Sequence, residues 1–347
     1  MTPSPEQAVQ TPTLSEQVTR LYDIIAGYHA TNLLKVAQDL GVWRAITHQT
    51  GITSEDLATR LATEPYYTGV LCRTAFAFGL LEREGDGWRM AEHFDQILGN
   101  PDSTFYLGEA AAVHMVVGQD YNDYVSHFRD GTRSSYQAHD EHFMESVAEA
   151  TTSLPRIFVD FVLPQLPALK AQLESGDRLL DLGCGGGWAV VQLAERFPNL
   201  RCSGVDIEPY SVELARSLIS ERGLSQRCDA RVGSAEIAET GAYDVITSFL
   251  VVHEIDPKLK AEAFADVVRA LKPGGSFLIF DEAYPETDDD LRQMPKRFAA
   301  LAQWYEVTLG NRVNTRSELL QLCQEAGLRV LDENSFSRFH IIVAQKN

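Results

Sequence analysis

The chain has 347 residues, 44% of them hydrophobic, and a formal net charge of −19 at pH 7. That length exceeds what a single growing core serves, so two domains are expected, and the acidic balance argues against nucleic acid or an anionic membrane surface as partner. No run of about 18 apolar residues marks a transmembrane helix, the start Met1-Thr-Pro-Ser-Pro-Glu6 lacks the basic and apolar regions of a signal peptide, and five scattered cysteines without a C-x-x-C read as reduced thiols of a cytoplasmic protein.

Residues 1–13, rich in Pro, Thr, Ser and Gln, are expected to form a disordered tail. From Leu14 to Leu40 apolar residues recur at helical spacing (Val18, Leu21, Ile24, Ile25, Tyr28, Leu33, Leu34), and Gly41 suits the stop. Thr53 is a good N-cap for a short helix to Leu61, and Glu64-Pro65 opens another that runs to Gly79. Leu80–Met90 then reads as two short strands about a Gly-Asp-Gly turn. Helix, helix, hairpin is the order of a winged helix. Residues 53–95 hold four arginines against eight acids, and the candidate recognition helix 65–79 carries only Arg73. A groove-reading module needs a basic face, so residues 14–100 are read as a dimerisation domain rather than a DNA reader. Residues 101–176 are helical and rich in aromatics and histidines, and residues 177–347 alternate strands with helices. The strands fall at 178–182, 201–206, about 228–232, 243–249, 275–281, about 328–332 and near 338–345. This predicts an α/β, Rossmann-like doubly wound sheet, mostly parallel, behind an α-helical front domain.

Within that sheet the first strand, Arg178-Leu-Leu-Asp-Leu182, leads into Gly183, Gly185 and Gly187 at alternate positions, then into a helix from Trp188. Glycines there permit a tight turn with φ > 0 and a close backbone approach to a ligand. The free N–H groups of the helix start suit an anionic group. The spacing is D-x-G-x-G-x-G, with the acid before the glycines, and no G-x-G-x-x-G stands in an aligned frame. The second strand ends at Asp206, 25 residues beyond Asp181, placed to accept from both hydroxyls of a ribose.

This set resembles the class I S-adenosylmethionine-dependent methyltransferases. The resemblance implies S-adenosyl-L-methionine as cofactor, held by Asp181, Gly183, Gly185, Gly187, Asp206 and Ile207, by Ser234 and Ala235 after the third strand, and by Ser248 and Phe249 at the end of the fourth. Ser234 stands where the family usually has an aspartate on the adenine amine. The stretch Val251-Val-His-Glu-Ile-Asp256 is similar to the Leu-His-Asp-Trp stretch of small-molecule O-methyltransferases, whose front domain is a winged-helix dimerisation domain. That implies a homodimer, a small-molecule methyl acceptor, His253 as general base, Glu254 as the following acid and Glu282 as the glutamate that steadies the histidine. A second family glutamate would fall near Val313, where this chain departs.

Imidazole titrates near neutrality, so His253 is suited to take a hydroxyl proton during transfer. Such enzymes place the helical layer between the domains, which makes His114, Tyr121 and Tyr124 pocket candidates, with Arg129 or Arg133 to clamp a carboxylate. His139-Asp-Glu-His142 has metal-ligand spacing without an evident third ligand, and no metal is expected. The leading reading is O-methylation of a hydroxyl with His253 as base. Alternatives are S-methylation of a small thiol or thioether acid (methylthio-hydroxybutyrate-like) by proximity alone, C-methylation of an α-keto acid, and a methyltransferase-like regulator.

Overall fold

Thr13 starts the first helix. Its hydroxyl accepts the Glu16 N–H at 3.3 Å while the Glu16 carboxylate accepts the Thr13 N–H at 2.7 Å, a reciprocal cap. The computed structural model describes residues 11–347. Most of the expected tail lies outside the described residues, and Thr13 belongs to the cap rather than to that tail. The helix Leu14–Asp39 turns Leu33, Leu34 and Ala37 into a core with Trp43, Ile46, Leu57 and Trp88. Leu21, Tyr22, Ile24, Ile25 and Tyr28 stay exposed in the single chain. Gly41, at φ +72°, turns the chain into a second helix, Val42–His48, which the sequence reading passed over as a stop.

Helices Ser54–Leu61 and Pro65–Ala77 follow, then a hairpin of β1 (Leu81–Glu84) and β2 (Gly87–Met90). A bridge from Ile52 to Trp88 adds a third extended segment, and the Trp88 indole donates to Ser54 Oγ at 2.8 Å. That segment runs so close that a Cβ on Gly87 would lie 2.0 Å from the Gly51 carbonyl oxygen. The winged-helix order thus stands in the N-terminal of two compact units, which divide between Met115 and Val116.

The second unit, 116–347, includes helices Tyr124–Asp130, Glu141–Ala150 and Pro167–Ser175 together with the sheet. The layer expected as a separate segment over 101–176 is therefore divided between the units. The strands are β3 (Arg178–Leu182), β4 (Arg201–Asp206), β5 (Cys228–Val232), β6 (Tyr243–Phe249), β7 (Leu271–Glu282), β8 (Leu328–Phe336) and β9 (Phe339–Lys346). Their order is β5-β4-β3-β6-β7-β9-β8, parallel except that β9 runs antiparallel to both β7 and β8. β7 begins earlier than expected because Leu271 pairs with Tyr243 before a bulge, after which Ser276 pairs with Val245.

Strand alternation divides the apolar residues between two faces. Val245 and Leu278 pack with Leu169, Val190 and Leu193. Leu180, Ile246 and Ile279 pack with Phe264, Val267 and Leu319 on the other side. Strand order reverses between β3 and β6, so the crevice for a ligand opens at their carboxyl ends. Among the described residues, no helix is long and apolar enough to cross a membrane.

Candidate active site

The glycine turn after β3 is built from beneath. Asp181 is 2% exposed and its Oδ1 accepts the Thr247 hydroxyl at 2.6 Å, tying β3 to β6; burial pushes its carboxyl up to about 7. Gly183 and Gly187, both at positive φ, are required by the protein itself: a Cβ would meet Val251 Cγ2 at 2.4 Å and Ala215 Cα at 2.9 Å. Gly185, also at positive φ, has open space where a Cβ would stand, so of the three it alone faces an empty cradle.

Asp206 closes the turn by accepting the Gly185 N–H at 2.8 Å on one oxygen and the Glu208 N–H at 2.9 Å on the other. Burial, against these bonds, raises its carboxyl above the ordinary range. Each oxygen retains acceptor capacity. A carboxylate with spare lone pairs beside an open glycine cradle fits a ribose and the chain that follows it. Ile207 is 62% exposed at the lip. Ser234 accepts the Glu236 N–H with its hydroxyl, capping a short turn, and Ala235 is buried in the core beside Leu180 and Ile246. Ser248 is buried with an unpartnered Oγ, and Phe249 packs on Phe158 and Phe280.

Beyond Phe249, Leu250 holds φ +60°, a left-handed conformation costly for a branched side chain. It turns the chain into the short helix Val252–Glu254, which presents His253. Here the carboxylate against the imidazole is Asp281, not Glu282. His253 Nδ1 lies 2.5 Å from Asp281 Oδ1, and the His253 backbone N–H donates to Asp281 Oδ2 at 3.1 Å. Glu282 instead pairs with Arg338 at 3.2 Å. Strand parity explains the correction: Asp281 shares the face of Ile279, whereas Glu282 shares the face of Phe280 and stands opposite Phe339.

A third carboxylate comes from the helix Arg297–Leu309. Glu306 is 6% exposed and accepts the Asn311 amide at 2.8 Å. Val313, where the second family glutamate was sought, is buried core. Glu306, Glu254 and His253 each bring one ligand atom within 4.8 Å of the others. Glu254 keeps 48% of its side chain exposed while its carboxyl stands beside the other two groups. Nearby protein and the Glu306 charge push it up to about 8, and burial likewise raises Glu306. Burial alone would lower His253, but the Asp281 charge and hydrogen bond outweigh it, and with Glu306 and Glu254 they hold the imidazole up to about 10.

The expected pocket residues divide. Tyr124 is buried and donates to the carbonyls of Trp304 and Tyr305 at 3.1 and 3.2 Å, tying its helix to Arg297–Leu309. Tyr121 stacks edge-on to Tyr124 and is half-exposed. Arg133 covers Gly310 and approaches Asp256 at 3.9 Å. His114 lies on the helix Gly108–Val117, in the N-terminal unit. Tyr136, which sequence reading passed over, feels Glu254, Asp206 and Glu306; after burial, these charges push its phenol up. His139 has both ring nitrogens engaged, by Asp120 at 2.9 Å and the Tyr136 carbonyl at 2.8 Å, and stacks on Phe143, which removes it as a metal ligand.

Residues 179–275 match the methyltransferase domain family, and residues 22–94 match the O-methyltransferase dimerisation domain. The chain thus carries a methyltransferase domain behind an O-methyltransferase dimerisation domain, and S-adenosyl-L-methionine is the cofactor of such a domain. It is similar to methyltransferase phqN of Penicillium fellutanum, 25% identical over 47% of this chain and 49% of that one. It is also similar to aclacinomycin 10-hydroxylase RdmB of Streptomyces purpurascens, 30% identical over 45% of this chain and 41% of that one. The chain thus spans about half or less of the curated relatives it matches. Its fold is that of an O-methyltransferase family protein from Burkholderia thailandensis, with a TM-score of 0.74 at 21% identity over 98% of this chain and 99% of that one. The same fold appears in human N-acetylserotonin methyltransferase solved with S-adenosylmethionine, with a TM-score of 0.75 at 17% identity over 97% of this chain and 100% of that one.

Proposed function

We propose that the protein methylates a hydroxyl of a small molecule, with His253 as general base and Asp281 as its orienting carboxylate. The observation that carries this reading is the direction of the imidazole. With Nδ1–H donated to buried Asp281, Nε2 is left free on the side of Glu254 and Glu306. S-adenosyl-L-methionine, when bound, would supply an electrophilic methyl group and be left as S-adenosylhomocysteine. Asp206 would hold the ribose hydroxyls and the 183–187 turn the methionine half, while His253 Nε2 would receive the acceptor's proton as the new oxygen–carbon bond forms. The base must be neutral to act, and the surrounding carboxylates favour its charged form, so activity rises toward alkaline pH.

One observation favours a second reading, transfer to a thioether by proximity. Three carboxylates stand around a single imidazole, an environment suited to a cationic product. The exposed apolar residues of the helix Leu14–Asp39 support a homodimer joined through residues 14–100. The acidic balance speaks against nucleic acid as a partner. A screen of hydroxyl and thioether acceptors with labelled methyl donor, read by mass spectrometry, tests the assignment. Conversion of a hydroxyl acceptor that His253→Ala lowers about 10²–10⁴-fold supports the base. A hydroxyl acceptor turned over within about fivefold by His253→Ala removes it.

A further inference from the structure

Glu254 and Glu306 meet beside His253 from different elements, the turn Val252–Glu254 and the helix Arg297–Leu309. Among the described residues, neither pairs with a lysine or arginine; the ion contact of Glu254 is His253 Nε2 at 3.9 Å, and Glu306 is bonded to the neutral Asn311 amide. His253, 6% exposed, points its second nitrogen into the same space without a hydrogen bond there. Asp281 already balances the imidazole charge. The Glu254 and Glu306 carboxyls, both held above the ordinary carboxylate range, ionise more readily once a cation lies between them. Tyr136 and Tyr305 pack with Phe143 and Met144, and the Glu306 charge adds to the burial that raises both phenols. Aromatic faces hold alkylated cations.

We propose that Glu254 and Glu306 form a seat for a compact organic cation of the acceptor, either an alkylammonium that it brings or a sulfonium that transfer creates on it. The inference rests on the active-site reading above. In the sulfonium case the acceptor's thioether lone pair bonds the methyl carbon, the donor's sulfur–methyl bond breaks with its pair kept by the donor, and the positive charge passes to the acceptor sulfur with no proton released. In the ammonium case the charge is present throughout and orients the acceptor's hydroxyl toward His253.

The test is calorimetric titration of the full chain, saturated with S-adenosylhomocysteine, with trimethylsulfonium, tetramethylammonium and the neutral isostere tert-butanol. At least one cation should bind about tenfold or more tighter than tert-butanol, and Glu254→Gln and Glu306→Gln should each reduce that preference about fivefold. Preference for the sulfonium alone identifies the product as the source of the charge; preference for the ammonium alone identifies the acceptor. Equal binding of the neutral isostere by the wild-type protein overturns the proposal without reference to any variant. So does a cation preference that survives in the Glu254→Gln/Glu306→Gln double variant, or uptake of Mg²⁺ that displaces both organic cations. S-adenosylhomocysteine binding, measured in the same samples, separates the two levels. If it is retained while the preference fails, only this inference falls; if it is absent, the methyltransferase reading falls with it.

Discussion

Asp281→Asn isolates the contact on which the base reading depends. Asp281 is fully buried and accepts three donors: the His253 ring N–H, the His253 backbone N–H and the Glu282 backbone N–H at 2.7 Å. An asparagine keeps the shape but must place an amide N–H₂ where an acceptor stood. If that group faces the ring, Nδ1 becomes the acceptor, the proton moves to Nε2, and the base is lost. General-base catalysis contributes about 10²–10⁴-fold, so kcat should fall by that factor, about 3–5 kcal/mol at 1.36 kcal/mol per tenfold. Loss of the charged acceptor should also cost about 1–3 kcal/mol of stability. The sign of the pH effect follows from the raised pKa. Wild-type His253 stays protonated as pH climbs past the usual imidazole value and becomes a base only on the way to about 10, so kcat/KM should rise through pH 7–9. In Asp281→Asn the imidazole should titrate lower. Ring-nitrogen NMR of labelled histidine reads tautomer and titration without an acceptor, and His253→Gln assigns the signal. A wild-type His253 that titrates at or below 6.5, or an unchanged tautomer in Asp281→Asn, would refute the reasoning.

Glu282→Gln should shift the His253 titration less than Asp281→Asn does, since Glu282 pairs with Arg338; an equal shift in that NMR signal would show that the two carboxylates act together. Gly183→Ala should destabilise by about 1–3 kcal/mol in urea unfolding, because its methyl would meet Val251. Gly185→Ala should instead cost cofactor affinity more than packing, as nothing of the protein fills that space; calorimetry with S-adenosylmethionine checks it. Light scattering at micromolar concentration should show a dimer, and a deletion of residues 1–45 should be monomeric or aggregated.

Much of this architecture was legible because it repeats. Strand alternation, N-caps at Thr53 and Glu64, and the spaced glycines mark local physics that survives folding. What escaped the sequence depends on parity or on distant segments. Asp281 and Glu282 are neighbours in the chain, and only their alternation against Ile279 and Phe280 shows which one faces His253. Glu306 carried a signal that was overlooked: it is the sole acid in the apolar helix Arg297–Leu309. The left-handed Leu250 left no trace in the sequence, since only the packing of β6 against β7 and the crevice demands it. Tyr124 looked like a pocket residue by composition, but its partners lie about 180 residues away at Trp304 and Tyr305.

Cofactor binding tests the central claim most directly. Titrated in a calorimeter, the wild-type protein should take up one S-adenosyl-L-methionine per chain. Asp206→Ala should weaken that binding by about 1.5–3 kcal/mol, the scale of a hydrogen bond to a charged group. A protein that binds NAD and not S-adenosylmethionine, or an Asp206→Ala variant that binds as tightly as the wild type, would contradict the account.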